Sequence, residues 1–269
     1  MSSSLQPNPS PARPKVLITV LTTYERHGWP TKAIAEWFDY LRMRGADLPY
    51  VTRIVFADNF VPAAAARNHV SKVFLENSDA EWLMMIDNDM APPHTILDCL
   101  IGAPEEADVI VPRFWIWDGG VGAPVLAWGV LSEDPKQPEV NALFVSKGFV
   151  ELRKCGTGCI FIRRSALEKI AKPYFWYPAN EDGGYTATED IMFCEKLRTA
   201  GGRIFGNGDF EVGHFHNIDI SKVAQAVYYR PSSLCPDGEK PNAVDTKGKI
   251  VPEAEESPSY ASVTAASPA

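Results

Sequence analysis

Asp87 and Asp89 close the apolar run WLMMIDNDM over residues 82–90, and two carboxylates spaced i, i+2 at the end of a strand-length segment need a chemical reason. Side chains alternate faces along a strand, so a strand running through Asp89 puts both carboxylates on one side. Like charges so placed repel, and the pair calls for a bound cation or a displaced pKa. Asp58 ends a second apolar run, VTRIVFADN, and Glu189 and Asp190 stand side by side in TATED. His214 and His216, in EVGHFHN, are spaced to share a strand face. The plain structural alternative for Asp87, Asn88 and Asp89 is that they cap a turn and the helix beyond it, where such residues are favoured.

The elements that must position these groups alternate. KVLITVLTT (15–23) reads as a strand, and TKAIAEWFDYLRMRG as a helix with Ile34, Trp37, Phe38 and Leu41 on one stripe. VTRIVFADN and AAAARNHVSKVFLEN repeat the strand and helix, as do WLMMIDNDM and PPHTILDCLIG, and DVIVPRFWIW reads as one further strand. Strands apolar throughout and separated by helices predict an α/β fold with a mainly parallel twisted sheet covered on both faces. Ligands of such sheets bind beyond the carboxyl ends of the strands. Asp58, Asp87 and Asp89 all fall at predicted carboxyl ends, which points to a shared site. The second half is less regular: GGVGAPVLAWGVLSEDPKQPEV reads as loops and short edge strands, CGTGCIFIRRSALEKI as a small-residue segment, a strand and a helix from Ser165. TATEDIMFCEKLRTAGG reads as a helix starting near Thr186 or Thr188, and RIFGNGDFEVGHFHN as a strand carrying both histidines.

With 269 residues, 45% of them hydrophobic and 11% aromatic, the chain can bury a sizeable core. A net charge of -8 supplies no overall basic field, which weighs against nucleic-acid gripping as its main task. Five cysteines without framework spacing fit a reducing compartment, and no run approaches the ~20 apolar residues of a membrane span. The expectation is a soluble, cytoplasmic protein. Residues 1–14 read as a disordered leader and 232–269, rich in Pro, Ser, Ala and charge, as a flexible tail. Between them, 15–231 read as one domain in two halves, a regular one (15–118) and a less regular one (119–231).

The order of these motifs resembles that of GT-A-fold glycosyltransferases, nearest to the small family-2-like enzymes. It comprises a Thr-rich end of the first strand, an Asp closing the second, an ARN helix, D-x-D after an apolar strand, G-x-G with RRSAL following, a TED helix start and a late GH. The likeness runs from about Lys15 to His216, and for the single catalytic domain it implies a nucleotide-binding role for residues 15–118 and an acceptor role for 119–231. It implies a Rossmann-like sheet with a smaller C-terminal acceptor-side region, and transfer of a sugar from a nucleotide diphosphate donor with a divalent cation, Mn²⁺ or Mg²⁺. A hard cation bridging diphosphate oxygens would stabilise the charge that develops as the leaving group departs.

By the same resemblance Asp89 would bind the cation directly. Asp87 would contact the donor ribose, or the cation through water, and Asn88 would sit against the donor. His214 would be a further ligand, with His216 its alternate. Arg67 would reach the nucleotide or its phosphates, with Asn68 as its polar neighbour. Asp58 would hydrogen-bond the base, and Thr22 and Thr23 would line the pocket. Uridine is the expected nucleoside, although guanosine would use much the same groups. Gly156, Thr157 and Gly158 would let the donor sugar approach the backbone. Asp190 would be the general base of an inverting transfer, and Glu189 would bind the acceptor or exchange roles with it. Each has a bland counterpart: a solvated helix arginine, a structural histidine, acids favoured at a helix start. Trp115, Trp117, Trp128 and Trp176 are candidates to stack on a sugar, though aromatic residues equally pack cores. Two other classes compete. A metal-dependent nucleotidyltransferase would carry a Gly-rich phosphate loop near the first strand, and LTTYERHGWP is not one. A non-catalytic nucleotide-sugar-binding module would keep the pocket without needing Asp190. The acceptor is open among saccharide, protein, lipid head group, small molecule and modified nucleic acid.

Overall fold

The computed structural model describes residues 14–22, 32–44, 51–58, 62–118, 123–141, 144–145, 147–215, 243–244 and 250–251. The strands β1 (Val16–Thr22), β2 (Val51–Asp58) and β3 (Trp82–Asp87) alternate with the helices α1 (Lys32–Met43) and α2 (Ala63–Asn77). Every side chain of β1 is buried, and α1 turns Ile34, Trp37 and Leu41 inward, as the periodicity predicts. The chain continues through β4 (Met90–Ala91), β5 (Val109–Arg113), β6 (Trp115–Asp118), β7 (Ala123–Leu126), β8 (Trp128–Leu131), β9 (Glu139–Asn141) and β10 (Phe144–Val145). Next come β11 (Phe149–Cys155), β12 (Cys159–Arg163), α3 (Arg164–Lys169), α4 (Glu189–Thr199), β13 (Ile204–Glu211), β14 (Gly213–His214), β15 (Ala243–Val244) and β16 (Ile250–Val251).

Nine strands form one sheet in the order β2-β1-β3-β12-β5-β13-β11-β8-β9. The pairs β1–β2, β1–β3 and β5–β13 are parallel, and β12 runs antiparallel between β3 and β5. Because β11 opposes both β13 and β8, and β9 opposes β8, the strands β2, β1, β3, β5, β13 and β8 share one direction. The mainly parallel α/β architecture is therefore present, with the antiparallel strands drawn from the second half of the chain. Parallel register places Thr22 beside Asp58 and Leu21 beside Asp87, so three carboxyl ends open together.

Three local expectations change. PPHTILDCLIG forms a 3-10 turn at Ile96–Leu100 rather than a helix. The segment closes i→i+3 bonds, Ile96 N to Pro93 O, Asp98 N to Thr95 O and Ile101 N to Asp98 O, in place of the i→i+4 bonds of an α-helix. DVIVPRFWIW breaks at Phe114, and β6 leaves the main sheet to pair with β7. The Phe114 carbonyl accepts from Ala127 N at 3.1 Å at that exit. The late strand breaks at Val212, and His214 lies on β14, which pairs with β4 rather than with β5. Of residues 232–269, expected as a flexible tail, Ala243–Val244 and Ile250–Val251 are described: β15 pairs in parallel with β10 and antiparallel with β16. Thr23, His216, residues 1–13 and the rest of the tail lie outside the described residues.

Candidate active site

On α2 the inward stripe is Ala64, Arg67, Val70, Ser71 and Phe74, so Arg67 is a charge set into a core-facing row. Its side chain is 4% exposed, and a guanidinium so placed must be paired. Nη2 donates to Asp87 Oδ2 at 3.1 Å, Nε to Glu189 Oε1 at 3.4 Å and Nη1 to the Thr157 carbonyl at 3.4 Å. Burial opposes its charge, but the Asp87 and Glu189 carboxylates outweigh that and raise its pKa. One fork thereby ties the end of β3, the segment before β12 and the first turn of α4. Arg67 is buried rather than solvated, and its three contacts are with protein groups, so it organises the carboxylates.

Asp87 is the last residue of β3, and Asn88 and Asp89 form the turn to β4. Strand alternation therefore does not orient Asp89; the turn does, fixed by Phe215 N donating to the Asp89 carbonyl at 2.9 Å and Asn88 N to Leu21 O at 3.2 Å. Burial raises the pKa of Asp87, Arg67 works against this, and the Asp89 and Glu189 charges add to the rise. Asp89 Oδ2 lies 3.5 Å from His214 Nε2 across the β4–β14 pair. His214 Nδ1 is 2.8 Å from the Trp115 carbonyl. A carbonyl only accepts, so Nδ1 carries the hydrogen and the neutral ring presents its Nε2 lone pair beside Asp89. Asp89 raises the imidazole pKa against burial, with the Trp115 carbonyl assisting.

These donors fit a hard divalent cation. Among the described residues no group of three or more His, Cys, Asp or Glu is arranged to hold a metal. An ion held by one carboxylate and one imidazole would need substrate phosphate oxygens and water to complete its coordination.

Glu189 opens α4 and its side chain is 10% exposed. Beside it stands the Tyr177 phenol, whose pKa burial and this carboxylate push up. Asp190 is half-buried. Its Oδ1 accepts from Ile191 N at 2.8 Å and from the Thr188 hydroxyl. Burial raises its pKa and the neighbouring Glu189 charge adds to this, while the Thr188 and Ile191 donors and Arg67 oppose it. A carboxylate in that state is a stronger base than one in water.

The remaining predicted residues divide. Thr22 is buried, its hydroxyl donating to Ala57 O at 3.3 Å, and Asp58 ends β2 opposite it, with its side chain outside what is described. Asn68 faces another way: Nδ2 donates to Ala64 O and Phe175 O, and Oδ1 accepts from Tyr174 N and Phe175 N. It anchors the 174–175 segment ahead of α4. At Gly156 and Gly158 an added Cβ would meet Phe114 at 3.1 Å and Met90 at 3.2 Å, so both glycines admit core side chains. Trp128 is 2% exposed and belongs to the core, and Trp176 carries the Lys196 ammonium 4.4 Å above its ring. Tyr177 was missed by sequence reasoning; the aromatic-rich PYFWYP just before TATED was the signal available.

Fold and site together define an α/β protein with a buried Arg-carboxylate cluster at the carboxyl end of a parallel sheet. No protein-family model matches the chain, and no curated protein does. Among solved structures it is similar to A197 from STIV, with 20% identity, a TM-score of 0.51, and coverage of 76% of this chain and 86% of that one. Weaker likenesses include GalNAc-T7 with UDP, GalNAc and Mn²⁺ (10% identity, TM-score 0.48, 77% of this chain and 44% of that one). Another is a Drosophila β1,4-galactosyltransferase 7 mutant in complex with manganese, UDP-Gal and xylobiose (15% identity, TM-score 0.41, 76% and 71%). At such identities the likeness to A197 is one of fold. No described helix is long and apolar enough to cross a membrane.

Proposed function

We propose that this chain is a metal-dependent glycosyltransferase that moves a sugar from a nucleotide diphosphate donor, a UDP-sugar, to an acceptor hydroxyl with inversion. The observation that carries this is the Asp87–Arg67–Glu189 cluster, which sets the Asp89–His214 pair and Asp190 around one strand-end site. The order of sequence motifs supports the same reading. Asp89 and His214 Nε2 would hold a divalent cation, which when bound supplies Lewis-acid stabilisation of the departing diphosphate. Asp87, fixed by Arg67, lies beside them for the donor ribose. Asp58 and Thr22 stand at the neighbouring strand ends for the base. Asp190 takes the proton of the acceptor hydroxyl as its oxygen bonds to the anomeric carbon. The bond from that carbon to the diphosphate oxygen breaks, and the nucleoside diphosphate leaves with the electron pair. Glu189, occupied by Arg67, positions rather than abstracts. Residues 15–231 form the catalytic domain in this reading.

Nucleoside diphosphate release across a panel of nucleotide sugars with Mn²⁺ tests it. Release from one UDP-sugar that depends on metal and on acceptor is expected. No release from any donor would overturn the assignment.

A further inference from the structure

The segment between Tyr177 and α4 is a closed hairpin that presents one large aromatic ring to solvent. Ala179 and Tyr185 form an antiparallel bridge. Asn180 N donates to Gly184 O at 2.8 Å, Gly183 N to Asn180 O at 3.0 Å, Gly184 N to Asn180 Oδ1 at 2.6 Å and Thr186 N to Pro178 O at 2.9 Å. Gly183 supplies the positive φ of +79° that the turn requires. The hairpin is thus internally satisfied, and a tyrosine at its mouth is not needed to close it. Yet Tyr185 is 70% exposed. Its ring rests on Tyr177, centroids 5.0 Å apart at 37°, and the Tyr177 phenol in turn feels the Glu189 carboxylate at the start of α4. An aromatic face is thereby held out in water on a second ring, and that ring senses the carboxylates of Glu189 and Asp190.

From this geometry we propose, building on the glycosyltransferase reading, that Tyr185 is the platform of the acceptor subsite and that the acceptor is a saccharide. A pyranose presents a face of C–H groups that packs on an aromatic ring while its hydroxyls point outward. In this proposal a saccharide stacked on Tyr185 would offer a hydroxyl to Asp190. Tyr177 is a positioning residue, fixing the Tyr185 ring relative to Glu189. The acidic Glu181 and Asp182 on the same hairpin suit hydroxyl donors and repel anionic acceptors.

The test is binding, read by saturation-transfer NMR and titration on the full chain with UDP and Mn²⁺. The probes are methyl α- and β-glycopyranosides of glucose, galactose and mannose, whose methyl aglycone cannot stack. At least one should bind wild type. Tyr185→Ala should weaken it about fivefold or more, whereas Tyr185→Phe, which keeps the ring, should stay within about twofold. Tyr177→Phe should keep the stacked pair, and a smaller loss is expected than for Tyr185→Ala. Equal binding by wild type and Tyr185→Ala, or no binding of any probe to wild type, overturns the subsite. UDP binding to wild type, measured in the same samples without glycoside, separates this from failure of the donor reading.

Discussion

Replacing Arg67 with Met removes the one cation that Asp87, Glu189 and the Thr157 carbonyl share. The methionine fills much of the volume, so the loss is electrostatic. Breaking a buried pair by deleting one partner typically costs about 3–5 kcal/mol, because the orphaned charge remains buried. Glu189, 10% exposed, carries most of this; Asp87, 31% exposed, is partly screened and is discounted. For a body of this size 1 kcal/mol moves Tm by about 2–4 °C, so a fall of roughly 6–20 °C is expected. Arg67→Lys keeps the charge but not the three-way fork and should lose roughly half as much. Adding Glu189→Gln to Arg67→Met removes an orphaned carboxylate and should recover about 1–2 kcal/mol relative to simple additivity. Thermal melting followed by circular dichroism measures wild type, the two Arg67 variants, Glu189→Gln alone and the double variant. A fall under about 2 °C for Arg67→Met, or strict additivity in the double variant, would refute the view that this guanidinium holds the site together.

Asp190→Asn should lower acceptor-dependent turnover by about 10²–10⁴ while UDP still binds, checked by coupled nucleotide release and calorimetry. Because burial raises the Asp190 pKa and a base must be deprotonated, the wild-type rate should rise with pH through a midpoint above the ordinary carboxylate range; a midpoint within that range contradicts the assignment. Asn68→Ala leaves Tyr174 N and Phe175 N without their acceptor and should cost about 1–3 kcal/mol, with faster amide exchange in 173–188 in exchange mass spectrometry. Asp108→Ala removes the acceptor of Lys169 (2.7 Å) and of Arg203 N (3.0 Å), remote from the site. It should lower Tm without changing UDP affinity.

Much of this was legible in the sequence, and for stated reasons. The strands and helices from Val16 to Asp87 follow directly from apolar periodicity, because each packs one face on a sheet covered by helices. PPHTILDCLIG reads as a helix because Pro92 or Pro93 suits a first helical turn; the i→i+3 bonding of Ile96–Leu100 is a short local alternative that the same residues also allow. DVIVPRFWIW gave no sign of leaving the sheet except Pro112, and strand pairing is a long-range choice that local pattern does not encode. Within the site, the carboxylates could be named because acids at strand ends and helix starts are conspicuous. The burial of Arg67 was visible in principle, since it falls on the stripe of Ala64, Val70 and Phe74, but its partners lie in segments distant along the chain. Tyr177 and the Trp115 carbonyl were not legible, as a tyrosine in an aromatic cluster and a backbone oxygen carry no signature of the groups they will meet.

The central claim is a strand-end site in which Asp89 and His214 hold a divalent cation for a nucleoside diphosphate. Calorimetric titration of UDP with Mn²⁺ and again with EDTA addresses it most directly. The account predicts saturable binding with Mn²⁺ that is lost in EDTA and is weakened about tenfold or more by Asp89→Ala and by His214→Ala. UDP binding of the same strength in EDTA as in Mn²⁺ would contradict it.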